Sequence, residues 1–191
     1  MQLLSSYFQQ YLPLEQAEIE LIEGKISFQK IRRRQQILQE GQVCKHYSFV
    51  TKGCFKMFGV DDKGYAHTIQ FAAENDWIMD ISSFHAMKPS QLYIEAIEES
   101  EIIQVEQQDL YFLYRNIPKL DRIFKVIIEN KFVELQNRVL QTFSSTAQER
   151  YLSFLEQYPH LSNRLPNTQI ASYLGITPEF LSKIRKDLTK K

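Results

Sequence analysis

The sequence predicts an α+β chain in three parts: an N-terminal β-roll of the jelly-roll type with flanking helices, a long helix, and a C-terminal all-α helix-turn-helix domain. Three observations predict it. Short strands punctuated by turns occupy positions 26–105, with no helix between most of them. One apolar stripe at helical spacing then runs from Phe124 to Phe143. Finally, positions 167–186 carry the constraints of two short helices joined by a tight glycine turn. The parts divide as 1–116, 117–144 and 145–191.

A chain of 191 residues holds one large domain or a medium domain with a small appendage. A hydrophobic content of 43% with few glycines and prolines indicates a globular protein. No run approaches a membrane span, and Gln2–Gln10 lacks the basic start and cleavage-like end of a signal peptide. A cytoplasmic protein without a membrane partner is therefore expected. Cys44 and Cys54 supply neither a disulfide framework nor a metal motif, and His46, His67 and His160 are scattered. No metal and no cofactor are expected. Net charge is zero, which by itself counts against nucleic acid. The distribution matters more: from Leu161 to Lys191 there are six basic and two acidic residues, so the preceding body carries the compensating negative charge.

Leu3, Leu4, Tyr7, Phe8 and Tyr11 sit at helical spacing, and a second short helix follows Pro13. From Ile26 the period changes, with Phe28, Ile31, Ile37 and Leu38 in short stretches before a turn at Glu40-Gly41-Gln42. Tyr47–Val50, Phe55–Val60 and His67–Phe71 read as strands, the last two joined into a hairpin by Asp61–Gly64. Leu92–Ile97 and Glu101–Val105 complete the roll. Gln107–Tyr114 reads as a short helix. Pro118 then opens a long one, whose stripe of Phe124, Ile128, Phe132, Leu135, Val139 and Phe143 holds one line. Twenty-five residues span roughly 37 Å, more than one small β domain can cover. Its exposed remainder, with Ile123, Ile127 and Leu140 on adjacent positions, is a dimerisation candidate, with Phe124, Ile128, Phe132, Leu135 and Val139 as the interface. Thr146-Ala147-Gln148-Glu149 is a capping box for the next helix.

In the last stretch, Ile170 and Leu174 are one turn apart, and Gly175 can end their helix in the left-handed conformation. Thr177 can cap a second helix with Pro178 at its first position. Leu181 and Ile184 turn inward. The outward face carries Thr177, Glu179, Ser182, Lys183 and Lys186, with Arg185 at its flank, groups able to meet phosphates or base edges. The competing description is an ordinary helical hairpin with a solvated face.

The order of these parts resembles the Crp/Fnr superfamily of bacterial transcription regulators. The resemblance covers nearly the whole chain and is carried by the Glu40-Gly41 turn, Tyr47–Gly53, the Asp61–Gly64 hairpin and Ile170–Lys186. It implies a cyclic-nucleotide-binding-like roll, a long dimer helix, and a second helix reading the major groove of double-stranded DNA from a symmetric homodimer. Base reading is then carried onto Thr177, Pro178, Glu179, Ser182 and Lys183, and phosphate contact onto Arg185 and Lys186. RNA polymerase is a candidate partner. Cyclic-AMP-binding relatives hold the ribose with a Gly-Glu pair and the phosphate with an Arg-Ser or Arg-Thr pair. Here those pairs fall on Met79-Asp80 and Ser90-Gln91. Asp80 can still accept from a sugar hydroxyl, but Ser90 does not replace an arginine, because a buried phosphate needs a fixed cation or dense donors. Cyclic nucleotide is therefore disfavoured, and two cysteines cannot supply a four-thiolate iron–sulfur cluster. Phe71, Trp77, Phe84 and Tyr93, with Asp80 and Ser90, are candidates for an effector pocket whose ligand is unknown, or else are simply core. His85 and Lys88 lie near it in sequence. The family's usual β-hairpin wing after the second helix is expected to be missing, with Lys190 and Lys191 adding non-specific phosphate attraction.

The leading expectation is a dimeric DNA-binding transcription regulator. The rival is a roll that binds a small molecule or a protein, its helix-turn-helix reduced to packing. No Ser/His/Asp set, HExxH or phosphate-cradling glycine loop is present, so an enzyme is not expected.

Overall fold

The computed structural model describes residues 2–189. Two short helices, α1 (Gln2–Gln9) and α2 (Gln16–Glu23), precede the strands. Strands β1 (Ile26–Ile31), β2 (Gln36–Leu38), β3 (His46–Lys52), β4 (Phe55–Val60), β5 (Ala66–Ala72) and β6 (Trp77–Ile78) lead to a short helix α3 (Ile81–Ala86). Then come β7 (Tyr93–Ala96), β8 (Ser100–Glu106), α4 (Gln107–Asn116) and the long α5 (Pro118–Ser144). The chain continues as α6 (Ala147–Gln157), α7 (Asn167–Leu174) and α8 (Pro178–Leu188). The strands form two antiparallel four-stranded sheets, ordered β1-β8-β3-β6 and β2-β7-β4-β5. This is the expected roll.

The inner strands of the first sheet, β8 and β3, are buried on both faces and so lack a simple polar alternation, whereas the edge strand β1 is mostly exposed. Along β3, Tyr47 and Phe49 meet the rings of Trp77, Phe124 and Tyr7 from the helical side. The intervening Ser48 points the other way and accepts from the buried Gln104 side chain on β8 at 2.9 Å. Gly53, which ends β3, sits at φ 92°, and a Cβ there would meet the Ser100 backbone at 2.8 Å. A side chain is thus excluded twice over.

Helix α5 has 27 residues, about 40 Å at 1.5 Å per residue. Its first half is core. Ile123, Phe124 and Ile127 are buried, and the Phe124 ring packs among Phe8, Tyr47, Trp77 and Tyr114. This corrects the expectation that Phe124, Ile123 and Ile127 are available to a second copy: they face the roll. Ile128 is half-buried, whereas Phe132, Leu135 and Val139 are exposed, joined by Val126, Val133, Leu140 and Phe143. Phe143 is 84% exposed and Leu140 63%, so the second half of α5 carries an uncovered apolar face.

The C-terminal helices do not close a core of their own. Their cluster of Tyr151, Phe154, Leu161, Leu165, Ile170, Tyr173, Leu181 and Ile184 includes Cys54, Phe71 and Ile97 from the roll. Phe71 lies within 6.3 Å of the ring centroids of Phe154, Tyr158 and Tyr173. Polar contacts reinforce the junction. Arg164, between α6 and α7, donates to both carboxylate oxygens of Glu74 at 2.9 Å and also pairs with Glu98.

Candidate nucleic-acid interface and the cavity behind it

Helices α7 and α8 meet at Gly175, whose φ of 67° is the left-handed conformation that ends α7. Thr177 caps α8, its hydroxyl accepting from the Phe180 N–H at 3.2 Å, with Pro178 at the first helical position. Ile170, Leu174, Leu181 and Ile184 are buried between and beneath the two helices. The pattern that predicted the motif therefore builds it. On the outward side Thr177, Glu179, Ser182, Lys183 and Lys186 are exposed, and Pro178 is half-buried. Ser182 donates its hydroxyl to the Pro178 carbonyl at 2.9 Å, which leaves its oxygen lone pairs to meet a donor. Lys183 and Lys186 have no ion-pair partner among the described residues.

Arg185 has a different place from the one its sequence position suggests. Its guanidinium donates to the Tyr151 hydroxyl at 2.9 Å, to Asn167 Oδ1 at 2.5 Å and to the Ser162 carbonyl at 3.3 Å. It ties α8 to α6 and the start of α7, so its donors are already engaged away from a phosphate. Phe180, 46% exposed on α8, was missed among the outward residues, since a lone exposed phenylalanine reads as core in a sequence. Lys190 and Lys191 lie outside the described residues.

Behind this unit, between the roll and α5 to α7, is a cavity of about 290 Å³. Its walls are mostly apolar, including Met57, Ile69, Met79, Leu92, Ile128 and Leu135, with Lys131, Glu134 and Arg138 entering from α5. Of the expected effector residues, Trp77 and Asp80 line it. The other four lie elsewhere. Phe71 faces the other way: a register shift in β5 at Ile69 leaves both Ile69 and Gln70 on the cavity side, and Phe71 packs in the cluster under α6 and α7. Phe84 packs edge-on against Tyr47 at 5.1 Å, inside the main core. Tyr93 stacks on Phe58 at 5.2 Å and donates to Glu40 at 3.0 Å. Ser90 is buried and donates to Asp80 Oδ2 at 2.7 Å.

The last contact decides what Asp80 can do. Its Oδ1 accepts from the N–H groups of Ser82 and Ser83, capping α3, while Oδ2 takes the Ser90 hydroxyl. Both oxygens are occupied within the segment, so Asp80 closes it on itself instead of awaiting a sugar. Arginine is absent from positions 79–92. His85 pairs with Tyr111 at 2.8 Å, and Lys88 is exposed. Among the described residues no group of three His, Cys, Asp or Glu side chains converges as metal ligands.

The charged groups in the cavity wall differ in how they are balanced. Lys131 is held by Asp76 at 2.9 Å and Glu134 at 3.1 Å. Burial pushes the Asp76 carboxyl above the usual carboxylate range, against the downward pull of Lys131. Arg138 instead donates to three backbone carbonyls, Thr68 at 2.9 Å, Tyr173 at 2.9 Å, and Ile69. Its guanidinium also lies 4.0 Å from the Tyr173 ring centroid. Sequence reading missed this residue. The signal was present: Ile123, Ile127, Lys131, Glu134 and Arg138 share one helical face, so charge replaces hydrocarbon where the core face continues.

Comparison with known proteins agrees with this architecture. Residues 28–116 match the cyclic nucleotide-binding domain family. FixK2 from Bradyrhizobium japonicum superposes with a TM-score of 0.74 at 18% identity, covering 86% of this chain and 85% of that one. The regulator CLP of Xanthomonas campestris, described as c-di-GMP-responsive, gives 0.74 at 11% identity, covering 92% of both chains. Electron transport regulator A of Shewanella oneidensis is 23% identical over 168 residues, which is 81% of this chain. The chain spans 65% of that relative's length. Residues 28–116 therefore match a cyclic nucleotide-binding domain, and the chain as a whole has the fold of a solved protein described as a putative Crp/Fnr-family transcriptional regulator. Electron transport regulator A and CLP are named as regulators, as is a putative Crp/Fnr-family protein from Eubacterium rectale.

Proposed function

We propose that the protein is a DNA-binding transcription regulator that acts as a homodimer, with the roll as its effector-sensing part. The observation that carries this reading is the outward face of α8. Glu179, Ser182, Lys183 and Lys186 are exposed together, while Leu181 and Ile184 on the opposite side are buried. A helix used only for packing has no need of two uncompensated lysines and a hydroxyl on its free side. The apolar second half of α5 supports a dimer, which would set two α8 helices on successive turns of a duplex, ~34 Å apart. Thr177, Pro178, Glu179, Ser182 and Lys183 are assigned to bases, and Lys186 to phosphate.

The test is selection of bound sequences from randomised duplex DNA by the purified full chain, with affinities remeasured across salt. A palindromic consensus is expected. Lys183→Ala is expected to weaken the selected site by about 1–3 kcal/mol and to relax one position of it. Equal loss on selected and random DNA would remove the base-reading role of Lys183. No enrichment at any salt would favour the rival, a roll that binds a small molecule or protein.

A further inference from the structure

We propose that Arg138 is the receptor for the carboxylate of an apolar ligand in the cavity, and that occupying it loosens α7 from the roll. The inference rests on the reading of the roll as an effector-sensing domain and names the ligand class and the link.

Arg138 is conspicuous for what it lacks. Among other partly buried cations, Lys25 has Asp109, Lys56 has Glu95, Lys131 has Asp76 and Glu134, and Arg164 has Glu74 and Glu98, while Arg150 and Arg185, which also bind only neutral acceptors, do not line the cavity. Arg138 has none within ion-pair distance among the described residues, only neutral carbonyls and a ring. It opens on a cavity whose other charges are already paired and whose remaining wall is largely hydrocarbon. Tyr47, which also lines the cavity, has a buried hydroxyl with no hydrogen-bond partner among the described residues. A molecule with an apolar body and one carboxylate meets these features. The planar carboxylate takes two parallel N–H bonds from a guanidinium and forms stronger hydrogen bonds than neutral carbonyls do. A doubly charged phosphate would leave a second charge without a cation.

The same guanidinium is a tether. β5 is an edge strand, and its outward backbone groups are satisfied from outside the sheet. Ser172 on α7 donates to the Ala66 carbonyl at 2.8 Å and accepts from the Thr68 N–H at 3.0 Å. Arg138 covers the Thr68 and Ile69 carbonyls, and its third bond reaches Tyr173 on α7. One arginine thus joins α5, β5 and the first helix of the DNA-reading pair. A carboxylate that takes its N–H groups removes that joint, leaving Ser172 as the remaining polar tether of α7 to β5.

Octanoate is the probe, with 1-octanol as its neutral counterpart. Binding is read from the fluorescence of Trp77, the single tryptophan, which lines the cavity. Loosening is read from amide hydrogen exchange over 66–72 and 167–174. Octanoate is expected to bind saturably and at least about tenfold tighter than octanol, a preference that Arg138→Gln removes. Exchange over 167–174 is expected to speed up when octanoate is bound. Coupling is reciprocal, so Ser172→Ala, which weakens the competing docked state, is expected to raise octanoate affinity. That variant and the wild-type exchange data decide the matter should Arg138→Gln fail to fold. Absent saturable binding, equal affinity for the alcohol, or unchanged exchange in 167–174 overturns the proposal. None of these readouts involves DNA, so a failed DNA selection and a failed tether are told apart.

Discussion

Replacing Phe71 by alanine tests whether the roll and the C-terminal helices form one cooperative body. Phe71 is fully buried on β5, with its ring 5.3 Å from that of Tyr173, 6.2 Å from Tyr158 and 6.3 Å from Phe154. Losing the buried side chain costs ~1.5–3 kcal/mol in transfer alone. The hole cannot close freely, because a strand fixes one side and rigid rings the others. The total should fall at ~3–5 kcal/mol, the usual range for phenylalanine to alanine in a core. Against a typical stability of ~5–15 kcal/mol, that is a fifth or more. Urea unfolding followed by Trp77 fluorescence reports the roll and α5, while far-UV circular dichroism is weighted toward the helices. In the wild type the two curves are expected to coincide, since Cys54, Phe71 and Ile97 belong to the core of α6–α8. In Phe71→Ala the dichroism midpoint is expected to fall by at least about 1 M, at a slope of ~2 kcal/mol/M, and to separate from fluorescence. A loss under ~1 kcal/mol, or wild-type curves that already separate, refutes the shared core.

Phe132→Glu with Leu140→Glu, on the exposed half of α5, is expected to weaken self-association at least ~30-fold in sedimentation equilibrium, with little change in folding. An unchanged association constant removes α5 as the dimer surface. Glu74 sets an acid limb. Burial acts upward on its carboxyl, but hydrogen bonds from Arg164 and the Gly53 N–H hold it below its usual 4.5. Its contribution is therefore full above pH 4.5 and is lost as pH falls through the lower folded value. The stability difference between wild type and Glu74→Gln should shrink below that pH, and a constant difference down to pH 3 contradicts the clamp. Burial pushes the Cys54 thiol up to about 12, so in native buffer at pH 7.5 it is expected to resist a disulfide reagent until α6–α8 leave the roll. Prompt labelling of folded Cys54→Ser-controlled samples at that position argues against a closed junction.

How legible the fold was depended on whether a signal was local. The capping box at Thr146–Glu149, the Asp61–Gly64 turn and the Gly175 break are set by neighbours in sequence, and each is present. Helix α3 and the two-residue β6 were not expected, because Ile81–Ala86 is short and its cap is completed by Ser90 ten residues from Asp80. The apolar stripe of α5 gave its length but not its division: Phe124 and Phe132 look alike in sequence, yet one meets the roll and the other does not. Phe71 was ambiguous for another reason: the register shift at Ile69 breaks the alternation along β5, so the face of Phe71 does not follow from that of Ile69. Arg138 and Arg185 show the limit for charged groups. Both read as solvated basic residues, and both spend their donors on contacts with distant segments.

The inward-turned arginines change the expected electrostatics of DNA binding. Counting basic residues from Leu161 onward overstates the contact charge, because Arg164 is neutralised by Glu74 and Glu98 and Arg185 is turned inward. Among the described residues of α8, Lys183 and Lys186 remain as free cations. A dimer then presents four, of which the two Lys186 side chains are assigned to phosphate, and at ~0.9 counterions released per phosphate the affinity should vary with salt at a log–log slope of about −1.8. Removing both copies of Lys186 should bring the slope close to zero while leaving the order of preferred sequences intact. Lys190 and Lys191, were they to contact phosphate as well, would steepen the wild-type slope toward about −5 without altering the change caused by Lys186→Ala. A slope that does not move in Lys186→Ala means that this helix does not meet the backbone where its exposed face indicates.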